Sequence, residues 1–214
     1  SSLAMINEAE ILDNSGEETL ADVTQLVLRN GNFTEFDPAV LNQLGELSTI
    51  SLSGNKFTSL VQFAEFPNLC ELNLNFNAVG DLSAVSFQPL IALKKLFLSS
   101  NNITDNCLAT LPRHTPNLTT LCLYRNKIAN LDEACRVLKA LKHLVELDLA
   151  GNPCSGGQKN NQPISAYKYR VISALPNLSR LDSEPIQELD RQLAKDFVNK
   201  RSTKTSFLQS SSSS

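Results

Sequence analysis

The sequence predicts an α/β fold: a right-handed solenoid whose coils each give one short strand to a parallel sheet on the concave face and return by short helices or 3-10 turns on the convex face. Three observations predict it. The pattern L-x-x-L-x-L-x-x-N stands at Leu47, Ile50, Leu52, Asn55 and recurs at Leu69, Leu72, Leu74, Asn77, then Leu93, Leu96, Leu98, Asn101, then Leu118, Leu121, Leu123, Asn126, then Leu144, Leu147, Leu149, Asn152. A weaker copy, Val23, Leu26, Leu28, precedes them with Gly31 in the asparagine place. In every copy the last two apolar positions are separated by a single residue, the period of a strand with one buried face.

The starts at 23, 47, 69, 93, 118 and 144 give periods of 24, 22, 24, 25 and 26 residues, which lie in the range of leucine-rich repeats. Each such unit buries its apolar face only against its neighbours, so the 214 residues need not divide into two globular domains. Residues 1–22, with Met5, Ile6, Ile11 and Leu12, are expected to cap the first coil irregularly. Residues 23–152 hold the six repeats, whose asparagines can satisfy backbone groups as the chain leaves each strand. Gly31 has no side chain for this, so the first coil is expected to be looser or specialised as a cap.

The return paths differ in length. Asn106–Leu118 and Leu131–Leu144 are long enough for short helices. In the second, Leu131, Ala134, Leu138 and Leu141 share a face, with Asp132 and Glu133 near the start and Lys139 and Lys142 near the end, as the helix dipole favours. The shorter stretch 61–69 allows a 3-10 turn, with Phe63 and Phe66 filling the core.

A formal charge of -3 and a pI near 5.4 give no footprint for nucleic acid, and no run approaches the length of a membrane span. Cys70, Cys107, Cys122, Cys135 and Cys154 are scattered, odd in number and without a C-x-x-C pair, which reads as reduced thiols. The N-x-[ST] sequons at Asn32, Asn102, Asn117 and Asn177 are by-products of a repeat that keeps writing NLT or NLS. The chain starts with Ser1, as a trimmed sequence does, so a missing signal peptide carries little weight. His114 and His143 have no nucleophile at useful spacing, and no phosphate-binding glycine motif occurs. No enzyme, metal or cofactor is expected.

After the sixth asparagine comes a polar loop and then YKYRVISALPNLSRLD, Tyr167 to Asp182. This stretch resembles the cap module Y-R-x-x-V-I-x-x-L-P-x-L-x-x-L-D of the intracellular leucine-rich repeat family named for the regulatory subunit of type-1 protein phosphatase. Tyr169, Arg170, Ile172, Leu175, Pro176, Leu178, Leu181 and Asp182 are matched to it. The resemblance covers residues 23 to about 185, and its relatives include the axonemal dynein leucine-rich light chain, related ciliary proteins, a spliceosomal protein and acidic nuclear phosphoproteins. It implies a cap at 153–185 in which Val171, Ile172, Leu175 and Leu178 close the last coil while Arg170 and Asp182 face water. Residues 186–201 read as a terminal helix, and the Ser-rich 202–214 as a disordered tail.

Function is expected on the concave face. Outward positions are expected to cluster Phe76, Phe97, Cys122 and Tyr124 on repeats three to five, with Lys95 and Arg125 at their edge and Asp148 on the sixth repeat. Grouped aromatics on a rigid sheet are material for a binding hot spot, with Lys95 and Arg125 positioned for acidic partners. A second candidate is the stripe Leu189, Leu193, Phe197 on the terminal helix. The chain thus reads as a protein-binding scaffold within a larger hetero-complex, with no direct nucleic-acid contact and no membrane. The resemblance points to a cytoplasmic, ciliary or axonemal assembly. It also admits a regulatory subunit on a phosphatase or other enzyme, or a nuclear RNA-processing scaffold.

Overall fold

The computed structural model describes residues 4–80, 88–156 and 164–210. Most of the polar loop expected before the cap, 157–163, lies outside them. One eight-stranded sheet runs through the molecule in the order β2 (Gln25–Val27), β4 (Thr49–Ser51), β5 (Glu71–Asn73), β6 (Lys95–Phe97), β7 (Thr120–Cys122), β8 (Glu146–Asp148), β9 (Arg180–Leu181) and β10 (Glu184–Pro185). All neighbours are parallel except β9 and β10. The strands β1 (Met5–Ile6) and β3 (Glu35–Phe36) form a separate parallel pair.

Register makes the repeat visible. Leu26, Ile50, Leu72, Leu96, Leu121, Leu147 and Leu181 are partners on successive strands and all are buried. Leu52, Leu74, Leu98, Leu123 and Leu149 form a second buried row. Strands stack about 4.8 Å apart whereas packed helices need about 8–10 Å, so the sheet lies inside the curve and the helices outside. The outer elements include α2 (Pro38–Leu41), the 3-10 turn Val61–Glu65, α3 (Asp105–His114) and α4 (Leu131–Leu138). Lys139 caps α4, which therefore stops short of Leu144, and Asn130 caps its start by accepting from Glu133 N–H at 3.1 Å. Phe36, Phe63 and Phe66 meet edge to face, with Phe57 tilted against them, in the N-terminal half of the core, where Phe63 and Phe66 were expected.

The asparagines form the expected ladder. Asn77, Asn101, Asn126 and Asn152 accept from the backbone N–H groups of Phe57, Val79, Ile103 and Ile128, each in the preceding coil. Their amides donate to the strand-end carbonyls of that coil and of their own, so every turn is bonded to its neighbour. The residue before each ladder position is left-handed: Asn30, Gly54, Phe76, Ser100, Arg125 and Gly151 have φ between 53° and 74°. Glycine fits this conformation without strain, and the non-glycine residues carry its cost.

Gly31 does mark a specialised coil. Its N–H donates forward to Asn55 Oδ1 at 3.0 Å. The preceding cap is regular: Asn7 starts α1 (Glu8–Ser15) by accepting from Glu10 N–H, and Gly16 ends it at φ 73°. From α1, the Asn14 amide donates to Val27 O at 2.6 Å and its oxygen accepts Val27 N–H at 3.0 Å, occupying the outer edge of β2.

The C-terminal cap departs from expectation in three ways. Counting back from Val171, the tyrosine of the cap pattern falls at Tyr167, which is buried on α5 (Ile164–Ala174), whereas Tyr169 lies half-buried against Phe197. Asp182 is half-buried and its carboxylate is bonded inward rather than turned to water. Its Oδ2 accepts the Tyr167 hydroxyl at 2.9 Å and its Oδ1 accepts the Leu149 and Ala150 N–H groups at 2.8 and 3.1 Å. Arg170 likewise turns to Asp132 on α4. Val171, Ile172, Leu175 and Leu178 are buried as the resemblance implies.

Helix α6 (Glu188–Ser210) continues beyond Arg201, so the first part of the Ser-rich stretch is helical rather than disordered, and 211–214 lie outside the described residues. It packs along α5 through Ala194, the Tyr169–Phe197 ring pair and a Lys168–Asp190 ion pair at 2.8 Å, while Arg191 donates to the carbonyls of Pro176 and Leu178.

Candidate functional site

The outward strand positions form two rows. Gln25, Thr49, Glu71, Lys95, Thr120, Glu146 and Arg180 are partners across the sheet. Two residues on, Val27, Ser51, Asn73, Phe97, Cys122 and Asp148 are partners in the second row. Each row is fixed by backbone hydrogen bonds, so side-chain spacing across it is close to the strand spacing.

This register brings Phe97, Cys122 and Asp148 side by side at the C-terminal end of the sheet. They line a shallow concavity of about 120 Å3 together with Thr120, Glu146, Arg180 and Ser183. The Cys122 thiol lies 3.0 Å from Ser99 Oγ, and burial raises its pKa. Asp148 Oδ1 accepts Ala150 N–H at 3.0 Å. Burial, and then the neighbouring Asp182 carboxylate, push the Asp148 carboxyl up to about 6.

Tyr124 and Arg125 stand further along the strand exit. The Arg125 guanidinium lies 5.2 Å from the Tyr124 ring centre, a cation–π contact, and a Cβ at Gly151 would fall 2.9 Å from Arg125 Cγ. Glycine at 151 thus avoids the cost of the left-handed φ and leaves room under this pair. Phe76 is 61% exposed at the equivalent left-handed position two coils earlier. Among the described residues no ring contact joins Phe76, Phe97 and Tyr124 to one another. Lys95 pairs across the sheet with Glu71 at 3.9 Å, an exposed contact worth at most about 1 kcal/mol.

Seven expected residues therefore fall into three groups: the concavity of Phe97, Cys122 and Asp148, the Tyr124–Arg125 stack, and the separate Phe76 and Lys95. Sequence reasoning missed Thr120, Glu146, Arg180 and Ser183 as members of the concavity. Glu146 was legible as an outward strand position, but Arg180 and Ser183 come from the cap, whose seventh parallel strand the repeat pattern does not announce.

The terminal stripe is split. Phe197 faces Tyr169 on α5, whereas Leu189 and Leu193 are 68% and 38% exposed and point away from the contact made by Ala194. All five cysteines are free. Among the described residues no cluster of His, Cys, Asp and Glu could hold a metal, and no helix is long and apolar enough to cross a membrane.

Comparison with known proteins agrees with the repeat fold. The family description "Leucine rich repeat" matches residues 21–79 and "Leucine Rich repeats (2 copies)" matches 116–156. "Cilia- and flagella-associated protein 410" of Mus musculus is 32% identical over 148 residues, 67% of this chain and 54% of that protein. "Acidic leucine-rich nuclear phosphoprotein 32 family member A" of Drosophila melanogaster is 31% identical over 142 residues, 65% and 49% of the two chains. The chain spans about half the length of these two relatives. Among solved structures, a chain of the Drosophila melanogaster SNF/U2A' complex superposes with a TM-score of 0.53 at 22% identity, covering 96% of this chain and 99% of that one, a likeness of fold.

Proposed function

We propose that this leucine-rich repeat protein is a non-enzymatic interaction platform that holds a protein partner on its concave face within a multi-protein assembly. The observation that carries the proposal is the row Phe97, Cys122, Asp148 with the Tyr124–Arg125 stack beside it, presented by strands locked in register. Aromatic and arginine side chains on a scaffold that loses little entropy on binding are the usual anchors of such contacts. The assembly is ciliary or axonemal, supported by the ciliary relative.

A nuclear scaffold is the second reading, supported by the nuclear phosphoprotein relative at similar identity. A phosphatase-type regulatory subunit would engage acidic and aromatic groups along many repeats. Here Ser51, Ser53, Asn73 and Asn75 occupy the second and third coils.

The test is affinity capture from cell extract, comparing this chain with a Phe97→Ser, Tyr124→Ser double variant of unchanged thermal stability. Axonemal or tubulin-associated proteins are expected with the parent chain and lost with the variant. Splicing or chromatin proteins in their place would move the platform to the nucleus, and unchanged capture by the variant would remove the concave face from the proposal.

A further inference from the structure

At the C-terminal end of the sheet floor three carboxylates, Glu146, Asp148 and Asp182, gather beside one arginine, Arg180. Asp148 is half-buried between Cys122 and the cap, with Glu146 two residues before it on the same face. Its one hydrogen bond from the backbone comes from Ala150, and the groups around it are the Cys122 thiol and the Asp182 carboxylate. Asp182 is itself engaged by the Leu149 and Ala150 N–H groups and the Tyr167 hydroxyl. Arg180, the cation of the lining, donates to the Ser183 carbonyl at 2.9 Å. Among the described residues no ion pair includes Glu146, Asp148 or Asp182.

Removing a carboxylate from water without pairing it costs free energy, and a cation supplied from outside would offset that cost. Phe97 lines the same concavity, and an aromatic ring adds attraction for a desolvated cation. At about 120 Å3 the space suits a side-chain head group, not a whole secondary-structure element. Guanidinium is planar, weakly hydrated and able both to pair with a carboxylate and to stack on a ring, so it fits better than ammonium.

We propose that this concavity receives an arginine side chain of the protein partner, its guanidinium paired with Asp148 and backed by Phe97. The proposal rests on the concave-face platform and names the chemistry of what that face binds.

N-acetyl-arginine methylamide is the probe, with the N-acetyl-glutamate counterpart as control. Each is titrated into the full chain at about pH 7.5 and about pH 5, on either side of the Asp148 midpoint near 6. Amide NMR shifts are followed at Cys122, Asp148 and Arg180. Saturable shifts are expected with the arginine probe at the higher pH. They weaken about tenfold at the lower pH, following the loss of ionised Asp148, and comparably in Asp148→Asn, a variant able to keep the Ala150 hydrogen bond. Phe97→Leu weakens binding about threefold.

Absence of saturable shifts, equal shifts with the glutamate probe, or unaltered binding in Asp148→Asn overturns the arginine site. Its failure is distinguishable from failure of the platform. If affinity capture is lost with Phe97→Ser, Tyr124→Ser but intact with Asp148→Asn, the platform survives and the arginine does not. If capture persists with the double variant, the platform itself fails, whatever the titration gives.

Discussion

The Tyr167 hydroxyl donates to Asp182 Oδ2 at 2.9 Å, joining the buried face of α5 to the turn that follows the last parallel strand. Asp182 then reaches back to the Leu149 and Ala150 N–H groups at the exit of β8. A single carboxylate thereby ties the cap to the final coil, only accepting where the asparagines of the other coils also donate. Tyr167→Phe deletes one bond to a charged acceptor in a buried place and is expected to cost about 1.5–3 kcal/mol. Tyr169→Phe, which keeps the ring contact with Phe197, is expected to cost under about 0.5 kcal/mol. Urea denaturation of the two variants separates them, and equal losses would contradict the assignment of Tyr167 as the cap tyrosine.

Asn101 is buried and serves Val79 N–H, Leu74 O and Ser99 O at once. Asn101→Ala leaves a buried donor without its partner, and a loss of about 2–3 kcal/mol is expected from chemical denaturation. The same change at exposed Asn102 should be close to silent.

Asp148 has a folded-state pKa raised to about 6 from the usual 3.8. The folded chain therefore holds its proton more tightly than the unfolded chain, and ionisation of Asp148 opposes folding. The penalty is absent below about pH 4, grows as pH rises through 6 and is fully present above it. Asp148→Asn is accordingly expected to raise the melting temperature near neutral pH, with the difference vanishing as pH falls toward 4. A difference that persists in acid would assign the effect to packing instead.

Phe76 combines 61% exposure with a φ of 56°, so it gains little from burial and carries the left-handed cost that Gly54 and Gly151 avoid at equivalent places. Phe76→Asn is expected to stabilise the fold by about 0.5–1 kcal/mol. If Phe76 also touches the partner, the more stable variant captures less of it, and the two measurements are independent.

The strands and the inward and outward faces were legible because Leu-x-Leu alternation fixes both at once, so that Leu72 and Leu96 are buried and Glu71 and Phe97 are not. The ladder was legible from Asn55 to Asn152 for the same reason. The left-handed row was hidden: only Gly54 and Gly151 advertise it, while Phe76 and Arg125 give no local sign of that backbone. Arg180 joins the concavity because the cap adds a strand whose sequence, Arg-Leu, is too short to show alternation. The stripe of Leu189, Leu193 and Phe197 misled because fourfold spacing drifts around a helix of 3.6 residues per turn, and Tyr169 and Ala194 decided which part was covered.

At one border of the large sheet the Asn14 side chain occupies the backbone groups of Val27, and at the other the outermost strand runs antiparallel and ends in Pro185, which has no N–H to offer. Both borders thus offer few free backbone groups to a strand from a second molecule. The solenoid is in this respect a ruler guarded at both ends: copies crowded into one place gain little by pairing edge to edge, and the order of such an array is expected to come from the faces.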